Sequence, residues 1–93
     1  MAGFTTRVEL HGADWSDYEK LHEQMAAQGF SRTITGGDGK RYWLPPAEYN
    51  YEASADRATV LAKARAAASQ VKNAYAVIVT GPEGRTWHGL EAA

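Results

Sequence analysis

The strict alternation of side chains in residues 4–11 constrains the fold of this chain more than any other feature. The sequence there is "FTTRVELH". A period of two predicts a β-strand with one buried and one exposed side. The side expected to be buried carries Phe4, Thr6, Val8 and Leu10, and the side expected to be exposed carries Thr5, Arg7, Glu9 and His11.

The period changes to that of a helix directly after this strand. In "ADWSDYEKLHEQMAAQGF" one stripe at helical spacing consists of Tyr18, Leu21, His22 and Met25. We expect a capping box of Ser16 and Glu19 at the start of this helix, because the two residues are three positions apart. Gly29 is expected to end the helix in a left-handed conformation.

The rest of the chain is predicted to add three or four strands and a second helix. "FSRTIT" and "RYWL" are β-prone segments on either side of "GGDGK", a typical hairpin turn, and Pro45 and Pro46 should end the third strand. A helix is predicted at about 56–71, with Ser54 or Asp56 as its N-cap and a close-packing face formed by Ala64, Ala67 and Ala68. "AYAVIVT" is predicted as a strand, and "RTWHGLE", after the turn "GPEG", as an optional fifth strand.

This order of elements, βαββαβ, predicts an α+β fold of the ferredoxin-like sandwich type. In such a fold two helices cover one face of an antiparallel sheet and the other face stays open. The expected strand order is 4-1-3-2, which would bring His11 near Lys40 and Arg41 and near Asn73. With 93 residues the chain is expected to form a single domain, residues 1–93.

Composition narrows the classes of function. The chain has no cysteine, which excludes disulfides, thiolate metal sites and cysteine nucleophiles. Without a basic and apolar leader, or an apolar run of the roughly 20 residues that span a bilayer, we expect a cytoplasmic protein with no membrane partner. The net charge of −1 argues against binding nucleic acid by bulk positive charge, although the excess of basic residues after residue 30 allows a local basic surface.

Three runs of the sequence carry a family resemblance: "RVELHGADWSDYEKLHEQMAAQGFSRTI", "LPPAEYNYE" and "YAVIVTGPEGRTWHGL". Over nearly the whole chain they resemble the GhoS-type family of endoribonuclease antitoxins from type V toxin–antitoxin systems, and most strongly its branch of bacterial and phage proteins with no assigned activity. The resemblance implies a ferredoxin-like fold and sequence-selective cleavage of a toxin messenger RNA. It supplies no catalytic motif, so the candidate residues below come from the sequence itself.

Arg7, Glu9 and His11 are the candidate catalytic residues. RNA cleavage without a metal needs a base for the 2′-hydroxyl, an acid for the leaving oxygen and a cation for the phosphate. His11 with Glu9 would transfer the protons, and Arg7 or Arg41 would supply the charge. The alternative is that these are solvated residues of an exposed sheet face, with Arg7 and Glu9 in cross-strand pairs.

Aromatic and basic residues late in the chain are candidates for binding RNA or a partner protein. They are Arg41, Trp43, Tyr49 and Arg85. Aromatic rings on an open sheet can stack on bases, but they also pack in cores and seal sheet edges. The terminal strand would present a free edge, so a homodimer through strand edges is a further expectation.

No metal site and no cofactor are expected. His11, Asp14 and His22 could ligate zinc or manganese only if they converged, and His11 is predicted on the open face whereas His22 is predicted on the helix stripe. "GGDGK" lacks the spacing of a nucleotide-binding loop. Two functions remain open: an antitoxin-like RNA-binding protein, with or without endoribonuclease activity, and a non-enzymatic phage or mobile-element protein that binds a host protein through its open face or edge strand.

Overall fold

The computed structural model describes residues 2–93 and contains two helices and six strands. In chain order the elements are β1 (Ala2–Leu10), α1 (Trp15–Ala27), β2 (Thr33–Thr35), β3 (Arg41–Trp43), β4 (Glu48–Ala53), α2 (Arg57–Ser69), β5 (Tyr75–Gly81) and β6 (Gly84–His88).

Four of the strands form an antiparallel sheet in the order β4-β1-β5-β6, and β2 and β3 form a separate two-stranded ribbon. Helices α1 and α2 contact each other, and the residues they bury belong to one core with the inward side chains of β1 and β5. Both helices therefore cover the same face of the sheet. The predicted α+β, ferredoxin-like architecture is confirmed, and the optional terminal strand is β6.

The identity of the strand beside β1 differs from the prediction. "RYWL" was expected there, but it forms β3 of the ribbon, and β1 pairs instead with β4, from Ala2 opposite Ala53 to Arg7 opposite Glu48. Two consecutive prolines after Leu44 interrupt the ladder. The chain resumes as a strand in "EYNYEA", whose alternation turns Tyr49 inward.

The predicted second strand keeps only one point of contact with the sheet. Ser31 and Asn50 form an isolated antiparallel bridge, in which each backbone N–H donates to the other residue's carbonyl, with N to O distances of 2.8 and 2.7 Å. Beyond this bridge the chain leaves the sheet edge and pairs with β3. The bridge fixes the ribbon to the outer edge of β4.

The core lies between the sheet and the helices. Strand β1 contributes Phe4, Thr6, Val8 and Leu10, all at most 5% exposed, as its alternation predicted. The predicted small-residue face of α2 is also confirmed, with Ala64, Ala67 and Ala68 buried. Small side chains let the α2 backbone lie close to β5.

The start of α1 corrects a local prediction. Asp14, rather than Ser16, is the N-cap: its carboxylate accepts the Asp17 N–H at 3.1 Å, and the Asp17 carboxylate accepts the Asp14 N–H at 3.2 Å. Ser16 is the second residue of the helix, and its hydroxyl donates to the Asp14 carboxylate at 2.7 Å. At the other end Gly29 has φ +94°, as the predicted left-handed position requires. Helix α2 begins after Asp56, one of the two predicted caps.

Candidate nucleic-acid interface

The face of the sheet without helices, here called the open face, is formed by side chains that the strand register places side by side. Strand β1 contributes Thr5, Arg7 and Glu9, and His11 follows it. The positions opposite them carry Glu48 and Asn50 on β4, Ile78 and Thr80 on β5, and Arg85 and Trp87 on β6. Because opposed residues share a face of a sheet, these side chains form one continuous surface.

The three candidate catalytic residues lie together on the open face. His11 Nε2 is 3.2 Å from Glu9 Oε1, and both side chains are exposed. Arg7, the preceding outward residue, has its Nη1 3.6 Å from Glu48 Oε2. The sequence therefore predicted the histidine–carboxylate pair and its neighbouring cation, and it also predicted that Arg7 could pair across strands.

The surroundings of His11 match one expectation and contradict another. Its backbone N–H donates to the carbonyl of Ala74 at 3.1 Å, next to Asn73 as predicted. Arg41, expected nearby, lies in the ribbon instead, where its Nη2 donates to Thr33 Oγ1 at 2.8 Å. The physical reason is that β4, and not the "RYWL" strand, occupies the place beside β1.

The ribbon is joined to the open face at the outer edge of β4. Ser31 is bridged to Asn50, an open-face residue. The Ser31 Oγ lies 3.1 Å from Thr33 Oγ1, which in turn accepts from Arg41. Thr33 is directly opposite Trp43. This chain of contacts connects Arg41 and Trp43 of the ribbon to Asn50 at the outer edge of the open face.

Trp43 is the most exposed large apolar side chain among the described residues. Its exposed fraction is 74%, and the guanidinium carbon of Arg32 lies 5.4 Å from its ring centroid. A shallow pocket of about 270 Å³ is lined by Thr33, Arg41, Tyr42 and Trp43. The Trp43 ring is flat and accessible, with Arg32 over it and Arg41 in the same pocket, and such a ring is suited to stacking on a base.

Tyr49 does not lie on this surface, and its predicted role as a binding residue is wrong. Its side chain is fully buried beneath the sheet, and its hydroxyl is 2.6 Å from His22 Nδ1. Burial raises the pKa of Tyr49. Burial and, to a lesser degree, the nearby Arg32 charge lower the pKa of His22 below its ordinary value of 6.5. The pair is therefore held neutral on the helix side of the sheet.

Arg85 lies at the opposite end of the open face, on β6. Its side chain is exposed and is directly opposite Thr80. Trp87, two residues on, shares its face and is opposite Ile78. The terminal run "GRTWHGL" offers Trp87 and His88 beside Arg85, and the alternation of "RTWH" puts Trp87 on the side of Arg85.

Within residues 2–93 no three histidine, aspartate or glutamate side chains come together as they would around a metal ion. His11 faces the open side, His22 pairs with Tyr49, and Asp14 caps α1. The Ser16 hydroxyl and then the Asp17 N–H hold the pKa of Asp14 below its usual range. The three residues weighed as ligands thus have separate partners.

Comparison of the chain with protein-family models, curated proteins and solved structures finds no match. Neither helix in the described part of the chain is long and apolar enough to cross a membrane.

Proposed function

We propose that the protein binds single-stranded RNA across its open face and ribbon, as an antitoxin-like RNA-binding protein would. The observation that carries this proposal is the exposed Trp43 ring, which has Arg32 over it and lines a shallow pocket together with Arg41. Stacking of a base on an aromatic side chain is largely independent of sequence, and adjacent arginines can contact the phosphates.

The charge distribution supports the ribbon as the first contact. Arg32, Lys40 and Arg41 carry positive charge there, and Asp38 is the one acidic residue between positions 31 and 44. The Tyr42 hydroxyl and then the Lys40 N–H stabilise the Asp38 carboxylate and lower its pKa. With so few cations, RNA affinity should fall only gently with salt.

The Arg7–Glu9–His11 row is where we propose that the bound strand is cleaved. In this step His11 takes the proton of a 2′-hydroxyl, the 2′-oxygen forms a bond to phosphorus, and the bond to the 5′-oxygen breaks. The leaving oxygen takes a proton from water, and His11 returns its proton to the hydroxide formed. Arg7 stabilises the phosphate charge, and Glu9 orients the imidazole through the 3.2 Å contact. The products carry a 2′,3′-cyclic phosphate and a 5′-hydroxyl.

RNA binding is tested by fluorescence anisotropy with labelled single-stranded oligoribonucleotides. Trp43→Ala should weaken binding by about 5- to 150-fold, because one stacked base contributes about 1–3 kcal/mol. Arg41→Ala should weaken it as well. Trp15→Ala is the matched control, since this tryptophan is 64% exposed but starts helix α1 on the other side of the sheet. Equal losses for Trp15→Ala and Trp43→Ala would contradict the proposed surface.

Cleavage is tested separately, in EDTA, on RNAs that bind. His11→Ala should abolish it without loss of binding, whereas His22→Ala should leave the chemistry in place and lower the melting temperature. Binding without cleavage by the wild type would remove the catalytic role of the row and keep the RNA-binding function.

A partner protein is the second candidate ligand, because acidic side chains offset the arginines of the open face. Glu9, Glu48 and Glu52 are carried by β1 and β4, at outward positions of the sheet. Such a mixed surface is typical of a protein interface. Absence of binding to any single-stranded RNA, at low salt as well as high, would favour this candidate.

A further inference from the structure

The outer edge of β6 carries backbone groups that no strand of residues 2–93 pairs with. Strands β5 and β6 are joined by the two-residue turn Pro82-Glu83, and Gly81 is opposite Gly84. In such a hairpin the flanking pair is hydrogen-bonded, and the bonding direction then alternates along the strand. Thr86 and His88 therefore point their N–H and C=O groups toward β5, whereas Arg85 and Trp87 point theirs outward.

The same two residues present their side chains to the open face. Arg85 is exposed, and Trp87 is 56% exposed. The strand ends at His88, and the next residue is Gly89, which has φ +82° and where a Cβ would lie only 2.4 Å from the Tyr75 carbonyl oxygen. The free edge is therefore five residues long, with one cation and one aromatic ring on its accessible face.

We propose that a second copy of this chain pairs with that edge, with β6 antiparallel to the partner's β6 about a twofold axis at Thr86. This register aligns all five residues of both strands. It lets the outward groups of Arg85 and of the partner's Trp87 form about four backbone hydrogen bonds across the twofold. It also sets each Arg85 side chain directly opposite the partner's Trp87, so that two cation–π contacts form on the open face.

Other antiparallel registers of the two β6 strands would also pair the outward backbone groups, but they are less favourable in side-chain contacts or in overlap. A twofold at Arg85 sets two guanidinium groups directly opposite each other, and like charges in that position are destabilising. A twofold at Trp87 leaves only residues 86–88 of each strand overlapping within β6. A shift by one residue would place outward groups against inward ones. The arrangement of charge and aromatic along "GRTWH" thus selects the Thr86 register.

One contact already reaches this edge. Arg57, the first residue of α2, donates from Nη1 to the Arg85 carbonyl at 2.8 Å. Its guanidinium lies on the helix side of Gly84, where a Cβ would be 3.0 Å from Nη1. A carbonyl oxygen has two lone pairs, so the one on the outer side can still accept the N–H of the partner's Trp87.

Light scattering at micromolar concentration should give about twice the mass of the chain. The register is tested with Thr86→Cys, which is informative because the natural chain has no cysteine. In the proposed dimer the two Thr86 residues form a non-hydrogen-bonded pair with Cα atoms about 4.5 Å apart, within the range that a disulfide spans. Mild oxidation should link this variant into a covalent dimer. Thr80→Cys, exposed but on the inner strand β5, should stay unlinked.

The side-chain pairing is tested at Arg85. Arg85→Glu should make the protein monomeric at concentrations where the wild type is dimeric, and Arg85→Lys, which keeps the cation, should remain a dimer. A monomer at every concentration overturns the proposal. A dimer that persists in Arg85→Glu also overturns the proposal. A disulfide-linked dimer of Thr80→Cys, with no linked dimer of Thr86→Cys, overturns it as well. None of these readouts depends on RNA, so the proposal stands or falls apart from the proposed function.

Discussion

Pairs of polar side chains on the two faces of the sheet differ in their exposure to solvent. On the helix side Tyr49 is fully buried and His22 is partly buried, and the Tyr49 hydroxyl lies 2.6 Å from His22 Nδ1. On the open side His11 and Glu9 are 3.2 Å apart but exposed, and water can replace either partner. The same pairing of a histidine with an oxygen therefore serves stability on one face and leaves the group available for a ligand on the other.

The largest change in the free energy of unfolding is expected when a buried apolar side chain on the helix side is shortened. Leu21→Ala, at a fully buried position of α1, should lower the free energy of unfolding by about 2–5 kcal/mol, because it removes buried methyl groups and leaves a cavity. The matched control is Leu90→Ala, where the leucine is 49% exposed; it should change stability by less than about 0.5 kcal/mol. Urea denaturation measures both, and similar losses would show that the core does not depend on α1.

Removing the buried Tyr49 hydroxyl is expected to cost less stability than shortening Leu21. Tyr49→Phe should cost about 1–3 kcal/mol, since it leaves His22 Nδ1 without its partner in a partly buried site. Tyr42→Phe is the control, because the Tyr42 hydroxyl bonds Asp38 at the surface and water can replace it. If the two variants lost equal stability, burial would not be what distinguishes the faces.

Replacing one buried polar group on the helix side is expected to raise the free energy of unfolding. Thr6 is fully buried, and its Oγ1 has no hydrogen-bond partner within residues 2–93. Thr6→Val keeps the shape and removes the unpaired hydroxyl, so it should raise the free energy of unfolding by about 1 kcal/mol. Thr5→Val, on the exposed side of the same strand, should not give this gain. A destabilised Thr6→Val variant would mean that this hydroxyl does form a hydrogen bond in the folded protein.

Lowering the pH should reduce the free energy of unfolding, because His22 must then take up a proton. Its folded-state pKa lies below 6.5 because of burial and then the Arg32 charge, so the unfolded chain binds the proton more readily. The contribution of the neutral histidine is therefore complete above pH 6.5 and is lost as the pH falls through the folded-state value. Thermal melts between pH 7.5 and 5 should show this loss for the wild type and for His11→Gln, and a flatter profile for His22→Gln.

The smallest effect is expected for Arg7→Ala on the open face. Its ion pair with Glu48 is long, at 3.6 Å, and the Arg7 side chain is well exposed, so unfolding free energy should change by less than about 1 kcal/mol. RNA affinity, measured by anisotropy, should fall nonetheless. Loss of stability without loss of binding would reverse the roles assigned to the two faces.

Only part of the candidate site could be predicted from the sequence. Alternation placed Arg7, Glu9 and His11 in one exposed row, because every second side chain of a strand points the same way regardless of its neighbours. The same rule put Arg85 with Trp87. It did not show that Tyr49 meets His22, 27 residues away. It also did not show that the ribbon carrying Trp43 is attached to the edge of β4, because that depends on the bridge between Ser31 and Asn50.

The sequence by itself determined the elements whose signal is local: the first strand, the stripe of α1, the small face of α2 and the strand at 75–81. Their periods follow from the backbone geometry of a single segment. Tertiary structure alone decided that β4, rather than "RYWL", lies beside β1. Both segments are β-prone, and the choice depends on which one can complete an uninterrupted ladder and bury its inward side chains against distant helices. Strand order is thus a property of the whole core, whereas strand and helix patterns belong to the segments themselves.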